Sequence, residues 1–369
     1  MKFLILKENL YKALTIVGRN ISSKPQLPIL SNILLQAENG QIRITTTNLD
    51  LGVIVTTPAK IEKNGEVTVP GKLLTEFVSM LSAEKIEFSL EGTNLSVKTN
   101  NNQATFTTIP ASEFPSSPNI SQPKTTFPLK KIKDAITRTV FSASIDEGRP
   151  ILTGVKTVLT EGNMILSATD GYRLSQEKIE IGGKNNELKV NLPAHTLAEV
   201  VRIAQELKAE EIGFSMIENK NQAIFTFPNA VVFTRIIDGE FPNIEKIIPI
   251  GFKTRVVIDK EQLAQAVKTA SLFARGAANI IKIKIEKEGL RLSANTPQVG
   301  QNEDFVEAKV EGEETEIAFN YRFLLDLLAN FPEDSLVFES SGPLNPGVFK
   351  PTKPTPLFLH IIMPVRVQG

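Results

Sequence analysis

The sequence predicts an α+β protein built from three copies of one pattern, in which two helices pack on antiparallel sheet. In each copy an apolar helical segment follows a short strand, at points marked by Pro70, Pro193 and Asn320. These points lie 123 and 127 residues apart. After each helix comes a segment in which apolar and polar residues alternate, which is typical of a half-buried strand. The regular spacing indicates three domains of similar size.

Each copy also begins with a short strand and an amphipathic helix. In the second copy, Ile132, Ile136, Val140 and Phe141 have the spacing of one buried helix face. The predicted helices cover 8–17, 72–81, 129–141, 196–203, 260–273 and 322–328. Polar, proline-bearing stretches at 115–123 and 247–251 suggest the boundaries. The sequence therefore predicts domains at 1–124, 125–250 and 251–369.

The composition excludes several classes of protein. The chain has no cysteine, so disulfides, thiolate metal sites and cysteine nucleophiles are excluded. No apolar run has the length of a signal peptide core or a membrane span, which predicts a cytoplasmic protein. Lys plus Arg number 41 and Asp plus Glu number 41, a balance that counts against a tight sequence-specific nucleic-acid binder.

Six segments together resemble the bacterial sliding clamp, the beta subunit of DNA polymerase III. They are Met-Lys-Phe at 1–3, Lys-Pro-Gln-Leu-Pro-Ile-Leu at 24–30, Arg-Pro-Ile-Leu-Thr-Gly-Val at 149–155, Ala-Thr-Asp-Gly-Tyr-Arg-Leu at 168–174, Asp-Gly-Glu-Phe-Pro at 238–242 and Met-Pro-Val-Arg at 363–366. Any one segment is short, but their order and spacing across three repeats make the match specific. The resemblance extends from residue 1 to about residue 366.

The resemblance implies three DNA-clamp domains per chain and a head-to-tail homodimer that forms a six-domain ring. Such a ring encloses double-stranded DNA without reading its sequence, keeps the replicative polymerase on its template, and catalyses no reaction. Twelve helices of about 10 Å diameter, set side by side, leave a hole of roughly 28 Å. Enclosure does not require a basic protein, so the neutral charge balance is compatible with it. The basic first helices of the repeats suit loose contact with phosphates, although solvated helix faces would look the same.

The resemblance also implies DNA contacts at Lys24, Lys72 and Arg149. Cations in loops or first helical turns can meet phosphates without reading bases. A lysine beside proline can equally be solvated. The acids Asp146 and Glu147 stand next to Arg149, and they would repel phosphate.

A second implied site is a hydrophobic pocket between domains 2 and 3. There the family binds short linear peptides of the polymerase, the clamp loader and repair proteins. The implied residues are Leu152, Thr169, Gly171, Tyr172, Arg173, Leu174, Pro242, Ile247, Ile361, Ile362, Met363, Pro364, Val365 and Arg366. Apolar walls suit leucine or aromatic anchors, and a methionine can repack around varied peptides. The alternative is that residues 357–365 are simply a buried final strand and Asp170-Gly171 a hairpin turn. The tail 367–369 could partly cover the pocket.

For the dimer interface, the resemblance implies Leu272 and Phe273 in the third domain, facing the first domain near 98–106. The same two residues could equally be core positions of an amphipathic helix. Asn101 and Gln103 occupy the facing strand, so ion pairs with Glu303 or Asp304 would be few.

Catalytic and metal sites are not predicted. Gly71-Lys72 lacks the first glycine and the Ser/Thr of a phosphate-binding loop, and His195 and His360 have no metal-ligand spacing. The sequence therefore predicts a protein without cofactor or metal. The alternative function is a repeat-built peptide-binding scaffold that does not act on DNA.

Overall fold

A computed structural model of the chain describes residues 1–22, 25, 27–119, 122–182, 187–276, 278–297, 300–354 and 357–366. The chain forms two compact units. The first comprises Met1–Leu129 with Glu199–Ile236, and the second comprises Lys130–Ala198 with Ile237–Gly369. The middle repeat is thus divided between the units, and one of the boundaries, between residues 198 and 199, falls inside its second helix.

All six predicted helices are confirmed. They are α1 (Lys7–Gly18), α2 (Gly71–Met80), α3 (Leu129–Val140), α4 (Ala194–Glu206), α5 (Lys260–Ala274) and α6 (Tyr321–Asn330). In the third repeat each helix has a side-chain cap, because Asp259 accepts the Gln262 N–H and Asn320 accepts the Arg322 N–H. The position of Asn320 is proline in the other two repeats, where proline ends the strand and the helix follows directly.

The strands are grouped by repeat. The first repeat contains β1 (Lys2–Leu6), β2 (Asn32–Glu38), β3 (Gln41–Thr47), β4 (Leu51–Pro58), β5 (Lys60–Lys63), β6 (Gly65–Pro70), β7 (Lys85–Glu91), β8 (Asn94–Lys98) and β9 (Gln103–Thr107). The second contains β10 (Thr125–Pro128), β11 (Gly154–Thr160), β12 (Asn163–Thr169), β13 (Arg173–Glu180), β14 (Leu188–Pro193), β15 (Glu211–Ile217), β16 (Gln222–Phe227) and β17 (Ala230–Arg235). The third contains β18 (Thr254–Asp259), β19 (Ile280–Glu286), β20 (Gly289–Thr296), β21 (Gly300–Gly312), β22 (Thr315–Asn320), β23 (Ser335–Ser340), β24 (Gly347–Pro351) and β25 (Leu357–Ile362).

Helices pack on sheet in the first and third repeats as predicted. In the first unit α1 contacts α2, β3 and β4, and its Leu10, Leu14 and Val17 are buried. Leu10, Leu14 and Val17 recur every three or four residues, so they share one helix face. In the second unit α5 contacts α6 and β18 to β21, above a core in which Phe338 stacks on Phe349 at 4.8 Å.

The sheets run through the repeat boundaries. The first unit contains the order β5-β1-β7-β8-β9 and the order β10-β15-β16-β17-β4-β3-β2-β6, and the second contains β14-β11-β12-β13-β25-β24-β23-β18-β21-β20-β19-β22. We call the antiparallel pairing of β4 with β17 the first junction, and that of β13 with β25 the second junction. Each junction therefore joins one repeat to the next by backbone hydrogen bonds.

The two junctions have the same register. Leu51 lies opposite Thr234 at the first junction, and Arg173 lies opposite Ile362 at the second. The β3–β4 and β12–β13 hairpins align at a constant offset. Strand β16 aligns with β24 and β17 with β25, with Ala223 opposite Thr234 and Gly347 opposite Ile362, and the β24–β25 turn is the longer of the two. The two junctions are therefore equivalent. The strands that would form a third junction are β21 and β9. Among the described strands β9 pairs only with β8, and residues 300–307 of β21 pair only with β20.

Candidate functional site

The turn between β12 and β13 forms one wall of the predicted pocket. Thr169 Oγ1 donates to the Arg173 carbonyl at 2.6 Å and accepts the Gly171 N–H at 3.0 Å. Asp170 Oδ1 accepts the N–H groups of Tyr172 and Arg173 at 2.9 and 3.0 Å. Gly171 has a φ of 94°, in the left-handed region that favours glycine. The predicted turn is confirmed, and it leaves Tyr172 60% exposed.

The segment after β25 forms the second wall. The Met363 N–H donates to the Tyr172 carbonyl at 2.8 Å, which ties the two walls together. Two residues further on, the Val365 N–H donates to the Ala318 carbonyl of β22, also at 2.8 Å. The final strand is therefore both a buried strand, up to Ile362, and the start of a more exposed wall. The interpretation as a buried final strand is confirmed, and the peptide-binding role of the segment stays a prediction.

A buried apolar cluster underlies these walls. It consists of Leu174, Phe241, Ile244, Val348 and Ile361. Each of three segments that contribute to this cluster also has an exposed apolar side chain two or three positions away along the sequence. These exposed residues are Tyr172, Ile247 and Met363. Of the other predicted residues, Leu152 and Ile362 are buried, Pro364 is half-buried, and Pro242 and Arg366 are exposed. The arrangement offers an apolar surface over a rigid floor, which suits leucine and aromatic anchors.

Arg173 holds the turn rather than facing solvent. Its Nε donates to Asp170 Oδ2 at 3.0 Å, and its Nη1 donates to Asp326 Oδ2 at 2.6 Å. The guanidinium also lies 4.7 Å from the centre of the Phe323 ring. The sequence prediction missed Asp170, Asp326 and Phe323. The dipeptide Asp170-Gly171 was the available signal for the first, while nothing in the sequence pairs α6 with this turn.

A buried polar chain lies next to Arg173 on the same face of β13. Ser175 Oγ is 2.7 Å from His360 Nδ1 and 2.8 Å from Ser142 Oγ. Burial lowers the pKa of His360 to about 3, and the neighbouring Arg173 charge acts in the same direction. Two residues along the strand, Glu177 accepts two hydrogen bonds from Arg138 at 2.5 and 2.6 Å. Arg138 of the basic helix α3 is therefore paired and largely buried, so it is not one of the cations that α3 offers to phosphates.

The first junction repeats the pocket turn with different side chains. Thr47 Oγ1 donates to the Leu51 carbonyl and accepts the Leu49 N–H, and the Arg235 N–H donates to the Asp50 carbonyl at 2.9 Å. These bonds correspond to those made by Thr169 and Met363. Gly52 and Phe233 stand here at the positions of Leu174 and Ile361, and Phe233 packs over Gly52 so closely that a Cβ there would lie 2.0 Å from the ring. Polar Asp50 and Arg235 stand where the second junction has Tyr172 and Met363. The backbone frame is duplicated, but the apolar pocket is not.

The predicted DNA contacts differ in their surroundings. Lys24 lies outside the described residues, as does the tail 367–369. Lys72 is exposed in the first turn of α2. Arg149 donates to Asp146 Oδ2 at 3.0 Å and to the Asp170 carbonyl at 3.2 Å. Its side chain thus lies against the pocket turn, with its charge paired.

The predicted interface residues are largely exposed. Leu272 is 56% exposed, so the core interpretation is wrong for this residue, whereas Phe273 packs partly buried against the core. Both Asn101 and Gln103 are exposed; Gln103 is the first residue of the edge strand β9, and Asn101 lies just before that strand. On β21, Glu303 accepts a hydrogen bond from Arg291 of its own chain at 2.8 Å, and Asp304 is half-buried.

Other features of the described residues do not suggest chemistry. No three His, Asp or Glu side chains of the described part of the chain could together hold a metal ion. None of its helices is both long and apolar enough to span a membrane. A cavity of about 930 Å³ lies in the first unit, between Arg43, Pro123 and Phe227, and it contains none of the predicted site residues.

Comparison with protein families resolves the identity of the repeats. Three family models match in succession: the N-terminal domain of the DNA polymerase III beta subunit over residues 1–118, its central domain over 126–243, and its C-terminal domain over 245–366. The chain belongs to the DNA polymerase III beta subunit family. The three copies are its three clamp domains, each with two helices, which confirms the predicted α+β fold.

Individual members of the family match over their whole length. The beta sliding clamp of Synechococcus elongatus is 28% identical, with 100% of both chains covered, and that of Staphylococcus aureus is 26% identical, with 99% of both covered. Crystal structures of the beta subunit from Thermotoga maritima and the sliding clamp from Bacillus subtilis match with TM-scores of 0.92 and 0.93. These two are 27% and 26% identical, and 100% of each chain is covered.

We predict that His360 makes the stability of the clamp fold pH-dependent. The pKa of His360 is about 3 in the folded chain and 6.5 is its ordinary value, so below pH 6.5 protons bind preferentially to the unfolded chain. Stability from this residue is complete above pH 6.5 and is lost toward pH 3, by a total on the order of 5 kcal/mol. Denaturant unfolding at pH 7 and pH 4.5 should show a smaller difference for His360→Gln than for the unchanged chain.

The matched control is His195→Gln, because His195 is the other histidine and is exposed. It should keep the full pH dependence. An equal pH dependence in His360→Gln and the unchanged chain would show that the imidazole is not held neutral.

Proposed function

We propose that the chain is a processivity clamp, in which two copies close head to tail into a six-domain ring around double-stranded DNA in the cytoplasm. The single observation that carries this proposal is the succession of three beta-subunit domain matches over residues 1–366. The clamp has no catalytic role of its own and keeps the DNA polymerase on its template. A scaffold that never meets DNA is not favoured, because the relatives that match over full length are sliding clamps.

Three domains of similar size make up each half of the proposed ring. We set their limits at 1–124, 125–250 and 251–369. The first limit lies between the matches that end at residue 118 and begin at residue 126, and the second lies a few residues inside the match that begins at residue 245. The contact units do not follow these limits, since strand pairing joins the first domain to the second and the second to the third. Domains joined in this way suit a ring, because every boundary is held by the same kind of interaction.

The open strands β9 and β21 support closure between two chains. Unpaired N–H and C=O groups on an edge strand are a template for another strand. Carrying the register of the two junctions over to these strands predicts Gln301 opposite the partner subunit's Thr105, and Glu303 opposite the partner subunit's Gln103. Leu272 and Phe273 of α5 would complete this interface, with Asp304 and the partner subunit's Asn101 near its end. Amides in place of basic residues leave few ion pairs, so backbone pairing and apolar contact would provide most of the affinity.

DNA would be held by enclosure and by loose contact of cations with phosphates. Lys72 suits this role, since it is exposed in a first helical turn, and Lys24 remains a proposed contact in the first domain. Arg149 suits it less well, because Asp146 pairs with its charge. Contacts of this kind are sequence-independent and weaken as salt concentration rises.

Partner proteins would bind the apolar surface at the second junction. The exposed Tyr172, Ile247 and Met363 over a buried floor support a site for short linear peptides with leucine or aromatic anchors. The polymerase, the clamp loader and repair proteins are the proposed partners. Because all three would bind the same surface, they would compete for it and replace one another there.

Retention on circular DNA tests the enclosure. The clamp should behave as a particle of about twice 40.6 kDa and, once loaded by its clamp loader, stay on a nicked circular plasmid. Cutting the plasmid once should release it, because a ring slides off a free end. Gel filtration of the DNA before and after cutting measures both the retention of the clamp on circular plasmid and its release from linear plasmid. Equal loss from circular and linear plasmid would contradict the topological mechanism.

Engineered cysteines test the intersubunit register. The chain has no cysteine, so a chain with Gln301→Cys and Thr105→Cys carries only the two introduced thiols. Directly opposed residues of antiparallel strands lie about 4.5–5.5 Å apart, within reach of a disulfide. Mild oxidation should therefore give a covalent dimer on a non-reducing gel. The control pair, Gln301→Cys with Gln103→Cys, is out of register and should cross-link far more slowly; the opposite order would refute the register.

Charged substitutions test the pocket. Met363→Glu with Pro364→Glu should weaken binding of a fluorescein-labelled pentapeptide, with alternate leucines and a C-terminal phenylalanine, by about 30-fold or more, since a charge would be desolvated by the anchors. Fluorescence anisotropy measures this affinity. The control Leu357→Glu alters an exposed leucine of the same strand outside the pocket and should bind normally. Both variants should remain dimeric, and undiminished binding by the Met363 variant would mean that the site lies elsewhere.

A further inference from the structure

We infer that Asp326, on helix α6, is a positioning residue for the peptide pocket and acts through Arg173. This inference rests on the proposed function of the pocket. Asp326 is itself 49% exposed at its side chain, and it binds the Arg173 guanidinium, whose side chain is only 10% exposed.

Arg173 closes the turn that presents Tyr172. Its Nε shares Asp170 with the two backbone N–H groups of the turn, so the arginine side chain and the turn backbone are fixed by one carboxylate. The opposite side of the guanidinium is fixed by α6, through Asp326 at 2.6 Å and the Phe323 ring at 4.7 Å. The orientation of the turn is therefore set from outside the pocket, by a helix of the third repeat.

Both pocket walls connect to α6. The Tyr172 carbonyl accepts the Met363 N–H, so displacement of the turn displaces the segment after β25. That segment is bound in turn to Ala318, which lies in β22, the strand that leads directly into α6. The ion pair of Asp326 with Arg173 and the two backbone hydrogen bonds therefore connect both walls of the pocket to the third repeat. A pocket with fixed walls binds a short peptide without first ordering itself.

The first junction provides an internal comparison. Its turn has the same threonine and backbone bonds, but Leu51 replaces Arg173 and cannot form an ion pair with a helix. The ion pair to a helix is therefore dispensable for folding such a turn. It accompanies the junction whose apolar surface is open, which supports a role in binding rather than in folding.

Removal of the charge on Asp326 tests the inference. Asp326→Asn preserves the shape of the side chain and should weaken binding of the labelled pentapeptide by roughly 3- to 10-fold. Asp326→Glu, which keeps a carboxylate, should recover most of that loss. The control Asp334→Asn makes the same change at a fully exposed acid of the third repeat and should bind normally. A double-mutant cycle with Arg173→Gln should show that Asp326→Asn adds no further loss once the guanidinium is gone.

A spectroscopic readout separates positioning from general stability. The chain has three tyrosines, so fluorotyrosine labelling gives three fluorine signals, and Tyr172→Phe identifies the one from the pocket. Asp326→Asn should shift the Tyr172 signal and leave that of Tyr11 in place. Unchanged peptide affinity together with an unchanged Tyr172 signal would overturn the inference. If the unchanged chain failed to bind the peptide, the proposed pocket would fall, and the Tyr172 signal alone would decide the positioning role.

Discussion

Antiparallel pairing of strands across the repeat boundaries is the interaction on which the remaining structure depends. It joins β4 to β17 and β13 to β25 in one register, so each repeat supplies the edge that the next one needs. The same pairing brings the β12–β13 turn beside the end of β25 and thereby creates the pocket. The equivalent strands β9 and β21 have no such partner among the described strands, since β9 pairs with β8 alone and residues 300–307 of β21 pair with β20 alone. A single backbone constraint therefore accounts for the continuous sheets, for the position of the proposed peptide-binding surface and for the two strands proposed to pair between chains.

The sequence alone was sufficient for the repeats and helices, because these depend on local periodicity. The spacing of Ile132, Ile136 and Val140 specifies a helix face whatever lies opposite it, and α3 is found where that spacing predicts. The pocket residues came from resemblance instead. Segments around Tyr172 and Met363 are far apart in sequence, and only the family pattern indicated that they meet. The backbone bond between them is a property of the folded chain.

Residues of β13 show why the remainder could not be predicted. Arg173, Ser175 and Glu177 alternate with other residues, a pattern that normally predicts a solvent-facing row. All three are instead covered by groups distant in sequence: Asp326, His360 and Arg138. Periodicity reports which residues share a face, but not what covers that face. Leu272 shows the converse, because its helical spacing fits a core position although it is exposed.

The difference between the two junctions has a consequence for how many partner proteins the proposed dimer would bind at once. Under the proposed function, peptides would bind at the second junction and not at the first, so each chain would have one peptide site and a dimer would have two. A polymerase and one other partner could then bind at the same time, while a third partner could bind only after one of them dissociates. The number of partners bound at once would then follow from the side chains of the first junction, where Phe233 packs on Gly52 and polar Asp50 and Arg235 replace Tyr172 and Met363.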